Sequence, residues 1–102
     1  MTLLRYYRLT AAEGRGDELY AALQVLAGKL AQISQSINTE IFIDPDAPGT
    51  FVFMERWRSR EDQKATGAML GKSAFTEVSS LLAGPPKTGY LVPADQTMNP
   101  GL

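Results

Sequence analysis

The chain has 102 residues, 44% of them hydrophobic, and a formal net charge of −1, which suits one globular domain with one core. It contains no cysteine and no histidine, which excludes disulfides, zinc–thiolate sites, thiol nucleophiles and imidazole bases. The charge provides no long-range field to attract nucleic acid or a membrane, and no signal-peptide core or membrane-length apolar run is present. The sequence predicts a cytoplasmic single domain over 1–102, with its core at about 2–92 and a polar tail at 93–102.

The first predicted element is a strand over residues 2–9, TLLRYYRL, which is apolar on both alternating faces. Because strand side chains alternate, Arg5 and Tyr7 share one face and Tyr6 lies on the other. A helix follows from about residue 14. Five aliphatic residues at steps of four and three define its apolar face: Leu19, Leu23, Leu26, Leu30 and Ile33.

The next two elements form a predicted hairpin. INTEIFID, residues 37–44, alternates as a strand does, and DPDAPG makes the turn. The returning strand is TFVFMERWR, residues 50–58. Its alternation puts four side chains on one face: Phe51, Phe53, Glu55 and Trp57. The carboxyl group and the indole ring therefore point the same way.

A second helical region begins where Ser59 and Asp62 have the spacing of a helix cap. Within it, TGAMLGKS, residues 66–73, ends like a phosphate-binding loop. Such a loop needs four residues between its glycines and a buried strand before it, but Gly67 and Gly71 enclose only three and charged EDQKA precedes them. The segment is therefore predicted to be a break in a helix that then resumes.

The last predicted strand is KTGYLV, residues 87–92, after a proline pair that ends the helix. The order β-α-β-β-α-β predicts an α+β, ferredoxin-like domain with a four-stranded antiparallel sheet. Two helices cover only one face of such a sheet. Because the first and third strands are apolar on both faces, we expect a homodimer in which a second copy packs against the other sheet face.

Several segments together resemble the antibiotic biosynthesis monooxygenase (ABM) family. They are the Glu55-Arg56-Trp57 step, SRED at 59–62, the hairpin before it, EGRGDEL at 13–19 and GPP at 84–86. The resemblance implies a dimeric α/β-barrel with a pocket between sheet and helices. It also implies oxidation of a small phenolic or quinol-type aromatic compound with no cofactor, neither metal nor flavin. Relatives degrade haem, isomerise small phosphorylated signals or have no assigned activity, so the fold does not fix the reaction.

One position departs from the family pattern. Many members carry a histidine nine residues after the tryptophan, where this chain has Thr66. The replacement removes a general base and a possible haem ligand, which argues against haem degradation. A cofactor-independent monooxygenase is the leading hypothesis. The alternatives are a non-catalytic small-molecule-binding dimer and an isomerase acting on a small oxygenated metabolite.

The candidate catalytic residues are Trp57 and Glu55. Trp57 is either a pocket wall with an indole donor or a core aromatic residue. Glu55 is either a base whose pKa is raised by burial or a structural anchor. Tyr7, Tyr6 and Arg5 could supply donors to a substrate oxygen, although alternation prevents all three from lining one pocket.

Four further side chains are candidates for substrate binding. Asn38 could hold a carbonyl group or face solvent at a strand edge. Thr66 could bind a ligand oxygen in the position of the family histidine, or cap a helix end. Met69 and Phe75 are interpreted as apolar pocket lining or as plain core.

Overall fold

The structure, a computed structural model, describes residues 2–33 and 38–94. The predicted Ile37 and residues 95–102 of the predicted tail lie outside the described residues. The elements are β1 (Leu3–Thr10), α1 (Gly16–Ile33), β2 (Asn38–Ile43), β3 (Thr50–Trp57), α2 (Arg60–Leu70), α3 (Ser73–Ser80) and β4 (Lys87–Leu91).

The four strands form one antiparallel sheet in the order β2-β3-β1-β4. β1 lies in the centre, where it pairs with β3 along its whole length and with β4 on its other side. The ferredoxin-like prediction is confirmed. This topology places residues from the two ends of the chain on neighbouring strands.

Local chemistry explains the second helical region. The Ser59 hydroxyl accepts a hydrogen bond from the backbone N–H of Asp62 (3.1 Å), so α2 begins as the capping pattern predicts. α2 ends at Gly71, whose φ of 81° favours glycine. α3 then starts two residues later. The predicted helix break is confirmed, because Gly71 and Lys72 separate the two helices, and the GKS tripeptide follows a helix rather than a strand.

The core lies between the helices and one face of the sheet, which we call the inner face. α1 presents four leucines of its predicted apolar face to it. Alternate residues of β1 and β3 meet them, and α3 closes the cluster. The buried hydrophobic members are Leu3, Leu9, Leu19, Ala22, Leu23, Leu26, Leu30, Phe51, Phe53, Trp57, Val78 and Leu81.

The opposite, outer face has no helix packed on it among the described residues. Its members include Leu4, Tyr6, Arg8, Asn38, Glu40, Phe42, Val52, Met54, Arg56 and Leu91. Phe42 and Leu91 are 44% and 47% exposed. The outer face therefore mixes apolar with charged side chains, whereas the inner face is mostly apolar and buried.

Candidate functional site

A cavity of about 200 Å³ lies between the inner face and helices α1 and α3. Three of its lining side chains are polar, namely Tyr7, Ser79 and Thr88. The remaining lining is apolar and comes from Leu9, Leu23, Leu26, Phe53, Phe75, Val78, Leu82 and Pro86. An apolar cavity with a few polar groups is the usual form of a small-molecule site.

A polar cluster lies next to this cavity on the inner face. Arg5 of β1 is paired with Glu55 of β3 on one side and with Tyr90 of β4 on the other. The guanidinium carbon of Arg5 is 5.0 Å from the ring centre of Tyr7 and 4.5 Å from that of Tyr90. Tyr7 therefore belongs to both features, because it lines the cavity and contacts the cluster.

Glu55 is a buried carboxyl group, only 2% exposed. Burial disfavours its charged form and raises the pKa of Glu55 to about 7, although the Trp57 hydrogen bond and the Arg5 charge both act in the opposite direction. The group therefore exchanges between its neutral and charged forms near neutral pH. A carboxyl group with such a pKa is suited to accept and return a proton.

Tyr7 remains a phenol at neutral pH. Its burial, and secondarily the Glu55 charge, raise the pKa of Tyr7 above its usual value, against the opposing effect of Arg5. Its ring also packs against Phe53, with 6.2 Å between ring centres. The side chain is thus held by neighbours on both sides and keeps a hydroxyl proton that can be donated to a ligand in the cavity.

Trp57 is placed in the core rather than in the wall of the cavity, and its indole N–H is already hydrogen-bonded. Its indole Nε1 donates to Glu55 Oε1 at 2.9 Å, and the residue is only 3% exposed. It is not among the residues that line the cavity. With its N–H already bound, Trp57 orients the carboxyl group of Glu55 and fills the core.

The other predicted site residues are divided between different parts of the molecule. Phe75 lines the cavity, and Thr66 is buried on α2 without being a lining residue. Met69 is 71% exposed on α2. Tyr6 and Asn38 lie on the outer face, which separates them from the cavity by the thickness of the sheet. For Tyr6 this agrees with the alternation along β1, which places it opposite Tyr7.

Tyr90, Gln63 and Arg60 contribute to the cluster and were missed by sequence reasoning. The Tyr90 hydroxyl donates to Gln63 Oε1 at 2.9 Å, and the Arg60 guanidinium lies 4.1 Å from the centre of the Tyr90 ring. Tyr90 was visible as an aromatic residue in the last predicted strand. Its meeting with Arg5, however, depends on pairing between β1 and β4, which no local pattern reveals.

Residues 2–33 and 38–94 contain neither a candidate metal-binding group nor a helix that could span a membrane. These residues contain no group of three or more acidic side chains that could hold a metal ion. None of the helices they form is long and apolar enough to span a membrane.

The model of one protein family matches residues 3–67, from the start of β1 into α2, and that family is the antibiotic biosynthesis monooxygenases. The chain belongs to this family. No curated protein matches the sequence of this ABM domain.

Solved structures share the fold of this ABM protein. Rv0793 from Mycobacterium tuberculosis superimposes with a TM-score of 0.80 at 20% identity, covering 96% of this chain and 100% of that one. SnoaB, a cofactor-independent oxygenase from Streptomyces nogalater, superimposes with a TM-score of 0.78 at 11% identity, covering 96% of this chain and 98% of that one. A conserved protein from Methanosarcina mazei superimposes with a TM-score of 0.79 at 11% identity, covering 89% of this chain and 91% of that one. At these identities the similarity establishes the fold alone.

Proposed function

We propose that the protein is a cofactor-independent monooxygenase that oxidises a small aromatic hydroxyl compound bound in the inner-face cavity. Membership of the ABM family and the fold shared with a cofactor-independent oxygenase support the reaction class. The observation that carries the proposal is the position of Tyr7, which joins the apolar cavity to the cluster of half-buried Arg5 and buried Glu55.

The size of the cavity limits the substrate. An apolar cavity of roughly 150 Å³ can hold benzene, so the observed volume of about 200 Å³ favours one ring or a compact fused pair. Substituents can extend beyond the enclosed part because the cavity is partly open. Hydroquinones and naphthols are therefore better first candidates than three-ring anthrones.

The reaction can be written for 1-naphthol and dioxygen. The ionised naphthol transfers one electron to O₂, and the resulting radical pair joins to form a C–O bond at the ring carbon para to the hydroxyl. The O–O bond of this peroxide then breaks while that carbon loses its hydrogen. The products are 1,4-naphthoquinone and water, so the substrate loses four electrons and O₂ gains four. No further reductant is required.

In this scheme Tyr7 and Glu55 have different roles. The Tyr7 hydroxyl donates a hydrogen bond to the substrate oxygen and stabilises its anion in a site shielded from water. Glu55, whose charge already acts on Tyr7, accepts the substrate proton and returns it to the peroxide oxygen, which its pKa of about 7 permits. Trp57 is a positioning residue, since its N–H holds one oxygen of the Glu55 carboxyl group.

We also propose that the protein is a homodimer joined through its outer faces. The exposed Phe42 and Leu91 and the half-buried Leu4, Val52 and Met54 provide apolar area there. Light scattering during size-exclusion chromatography measures the mass directly, and a monomer at micromolar concentration would contradict the proposal.

The proposed function is tested by oxygen uptake with 1-naphthol and substituted hydroquinones, after subtraction of autoxidation. The critical variant is Tyr7→Phe, and its matched control is Tyr6→Phe, one residue along the same strand but on the outer face. We expect kcat/KM to fall roughly 100-fold in Tyr7→Phe, as for loss of one oxyanion donor, and to change little in Tyr6→Phe.

Two results would replace this function with another. Tight ligand binding with no enzyme-dependent oxygen uptake supports the non-catalytic binding protein, which the absence of the family histidine at Thr66 favours. Conversion of a ligand without oxygen uptake supports the isomerase. Incorporation of one ¹⁸O atom from ¹⁸O₂ into the quinone separates oxygenation from simple dehydrogenation.

A further inference from the structure

We propose that the substrate carries a carboxylate group and that Arg5 binds this group at the edge of the cavity. The inference rests on the proposed function for the position of the aromatic ring. It adds the charge of the substrate and names the residue that selects it.

Arg5 is part of an alternating stack of tyrosine rings and guanidinium groups. The order is Tyr7, Arg5, Tyr90 and Arg60, with guanidinium-to-ring distances of 5.0, 4.5 and 4.1 Å. The stack runs from the cavity lining to Arg60, which is exposed on α2. It therefore holds two positive charges along one side of the site.

The charge of Arg5 is incompletely balanced within the part of the chain that the structure describes. No carboxylate oxygen of those residues lies within 4.0 Å of its guanidinium, although Glu55 faces it across the β1–β3 pair. Its Nε is buried and has no hydrogen-bond partner among the described residues. A buried donor without a partner costs stability, which an anionic ligand with acceptor oxygens would recover.

The arrangement of Arg5 suits a carboxylate in particular. The Arg5 guanidinium carbon lies over the rings of Tyr7 and Tyr90, and its Nε has no hydrogen-bond partner among the described residues, which leaves at least this N–H group to form a hydrogen bond. A planar carboxylate can accept two such bonds in parallel. A neutral group of the same shape makes weaker bonds and leaves the charge unbalanced.

Arg5 is also within reach of a ligand in the cavity. Tyr7 and its partner Thr88 line the cavity, and Arg5 and its partner Tyr90 are the next inner-face pair along the same two strands. Same-face neighbours along a strand are about 6.7 Å apart. A ring beside Tyr7 can therefore direct a substituent past that residue to Arg5 while its hydroxyl stays near the Tyr7 hydroxyl.

The test measures binding of three probes by calorimetry at pH 8: 1-naphthol, 1-hydroxy-2-naphthoate and 1-hydroxy-2-naphthamide. The carboxylate and the carboxamide have nearly the same shape and differ in charge. We expect the wild-type protein to bind the carboxylate at least tenfold more tightly than the carboxamide, the size of one charge-assisted hydrogen bond.

Three variants locate the preference. Arg5→Gln should reduce the ratio of the two affinities to about one, and Arg5→Lys should keep part of it because the charge remains without the planar fork. The matched control is Arg8→Gln, which removes an arginine from the outer face of the same strand and should leave the ratio unchanged. If Arg5→Gln does not fold, the wild-type ratio and the Arg5→Lys variant still decide the result.

Equal affinity of the wild-type protein for carboxylate and carboxamide overturns the inference, as does a preference that survives in Arg5→Gln. Oxygen uptake with 1-naphthol separates this failure from failure of the proposed function. Oxygen uptake without a preference for the carboxylate would support the monooxygenase and contradict only the role of Arg5. A preference for the carboxylate without oxygen uptake by any probe would support the anion site and contradict the monooxygenase.

Discussion

Adjacent residues of β1 and β3 lie in opposite environments on the two faces of the sheet. On the inner face, Glu55 is buried and has a pKa of about 7, whereas Arg56, the next residue, is exposed on the outer face. Tyr7 lines the cavity, whereas Tyr6 lies across Gly89 on the outer face. The difference in environment, rather than residue type, is the reason that we propose chemistry on one face and association on the other.

Each inner-face residue of β1 and β3 has a neighbour on the outer face of the same strand. A substitution at that neighbour is therefore a matched control. Variants at paired positions therefore separate the effects of the cavity from general effects on the strand. The largest difference is expected in the middle of β3, where a core aromatic residue precedes a half-buried methionine.

Phe53→Ala and Met54→Ala compare the two faces at adjacent positions. Phe53 is 1% exposed in the core, so its truncation should lower the free energy of unfolding by about 3–5 kcal/mol. Met54 is half-buried, so its truncation should lower the free energy of unfolding of the monomer by about 1 kcal/mol. Urea unfolding at two protein concentrations measures both, and dimerisation through the outer face predicts that only the Met54→Ala effect depends on concentration. Equal costs would contradict the assignment of the faces.

Glu55→Gln should stabilise the protein in a pH-dependent way. Folding raises the pKa of Glu55 from 4.5 to about 7, so between these values the folded state holds more protons than the unfolded state. Stability from this group is therefore full below pH 4.5 and declines up to about pH 7. The glutamine does not titrate. The free energy of unfolding of the variant should therefore equal that of the wild-type protein at pH 4 and exceed it by up to about 3 kcal/mol at pH 8. Thermal unfolding across this range measures it, and a constant difference would contradict the shifted pKa.

The same residue should control the pH dependence of oxygen uptake. A base must be deprotonated to act, so we expect kcat/KM to rise with a midpoint near pH 7, the pKa of Glu55 in the free protein. Glu55→Gln should remove this inflection while the ionisation of the substrate itself remains. Persistence of the inflection in the variant would assign it to another group.

Trp57→Phe tests whether the indole orients Glu55. Loss of its N–H removes the larger of the two interactions that lower the pKa of Glu55, so that pKa should rise above about 7. At pH 8 the substitution should lower the free energy of unfolding by about 1.5–3 kcal/mol, as for loss of a hydrogen bond to a charged group. Carbon-13 NMR of the Glu55 carboxyl group follows the titration. The same substitution in a Glu55→Gln background should cost less, and an equal cost there would indicate a packing role only.

Gly89→Ala tests the close contact on the outer face and has the smallest expected effect. A Cβ at Gly89 would lie 2.7 Å from the Tyr6 hydroxyl oxygen and 2.9 Å from its ring. The overlap should cost about 1–2 kcal/mol, more than the gain from replacing glycine in a strand, which is about 0.5–1 kcal/mol. Tyr6→Leu should relieve most of the loss in the double variant, as measured by chemical unfolding, and additive effects would exclude the contact as its cause.

Local periodicity was sufficient to predict the elements. The spacing of the leucines in α1, the Ser59 cap and the break at Gly71 depend on residues only a few positions apart, so they could be read directly from the sequence. The order of elements then restricted the sheet to an antiparallel ferredoxin-like arrangement. Alternation likewise grouped Glu55 with Trp57 and separated Tyr6 from Tyr7, because it too depends only on neighbouring positions.

The candidate site depended on contacts between distant parts of the chain. Alternation divides a strand into two faces but does not say which face meets the helices, and that choice placed Tyr7 in the cavity and Asn38 outside it. Arg5 meets Tyr90 because β4 pairs with β1. The raised pKa of Glu55 results from the packing of helices over the sheet. Sequence determined the elements because their signals are local, whereas the site was decided by tertiary structure because burial and strand pairing join residues far apart in the chain.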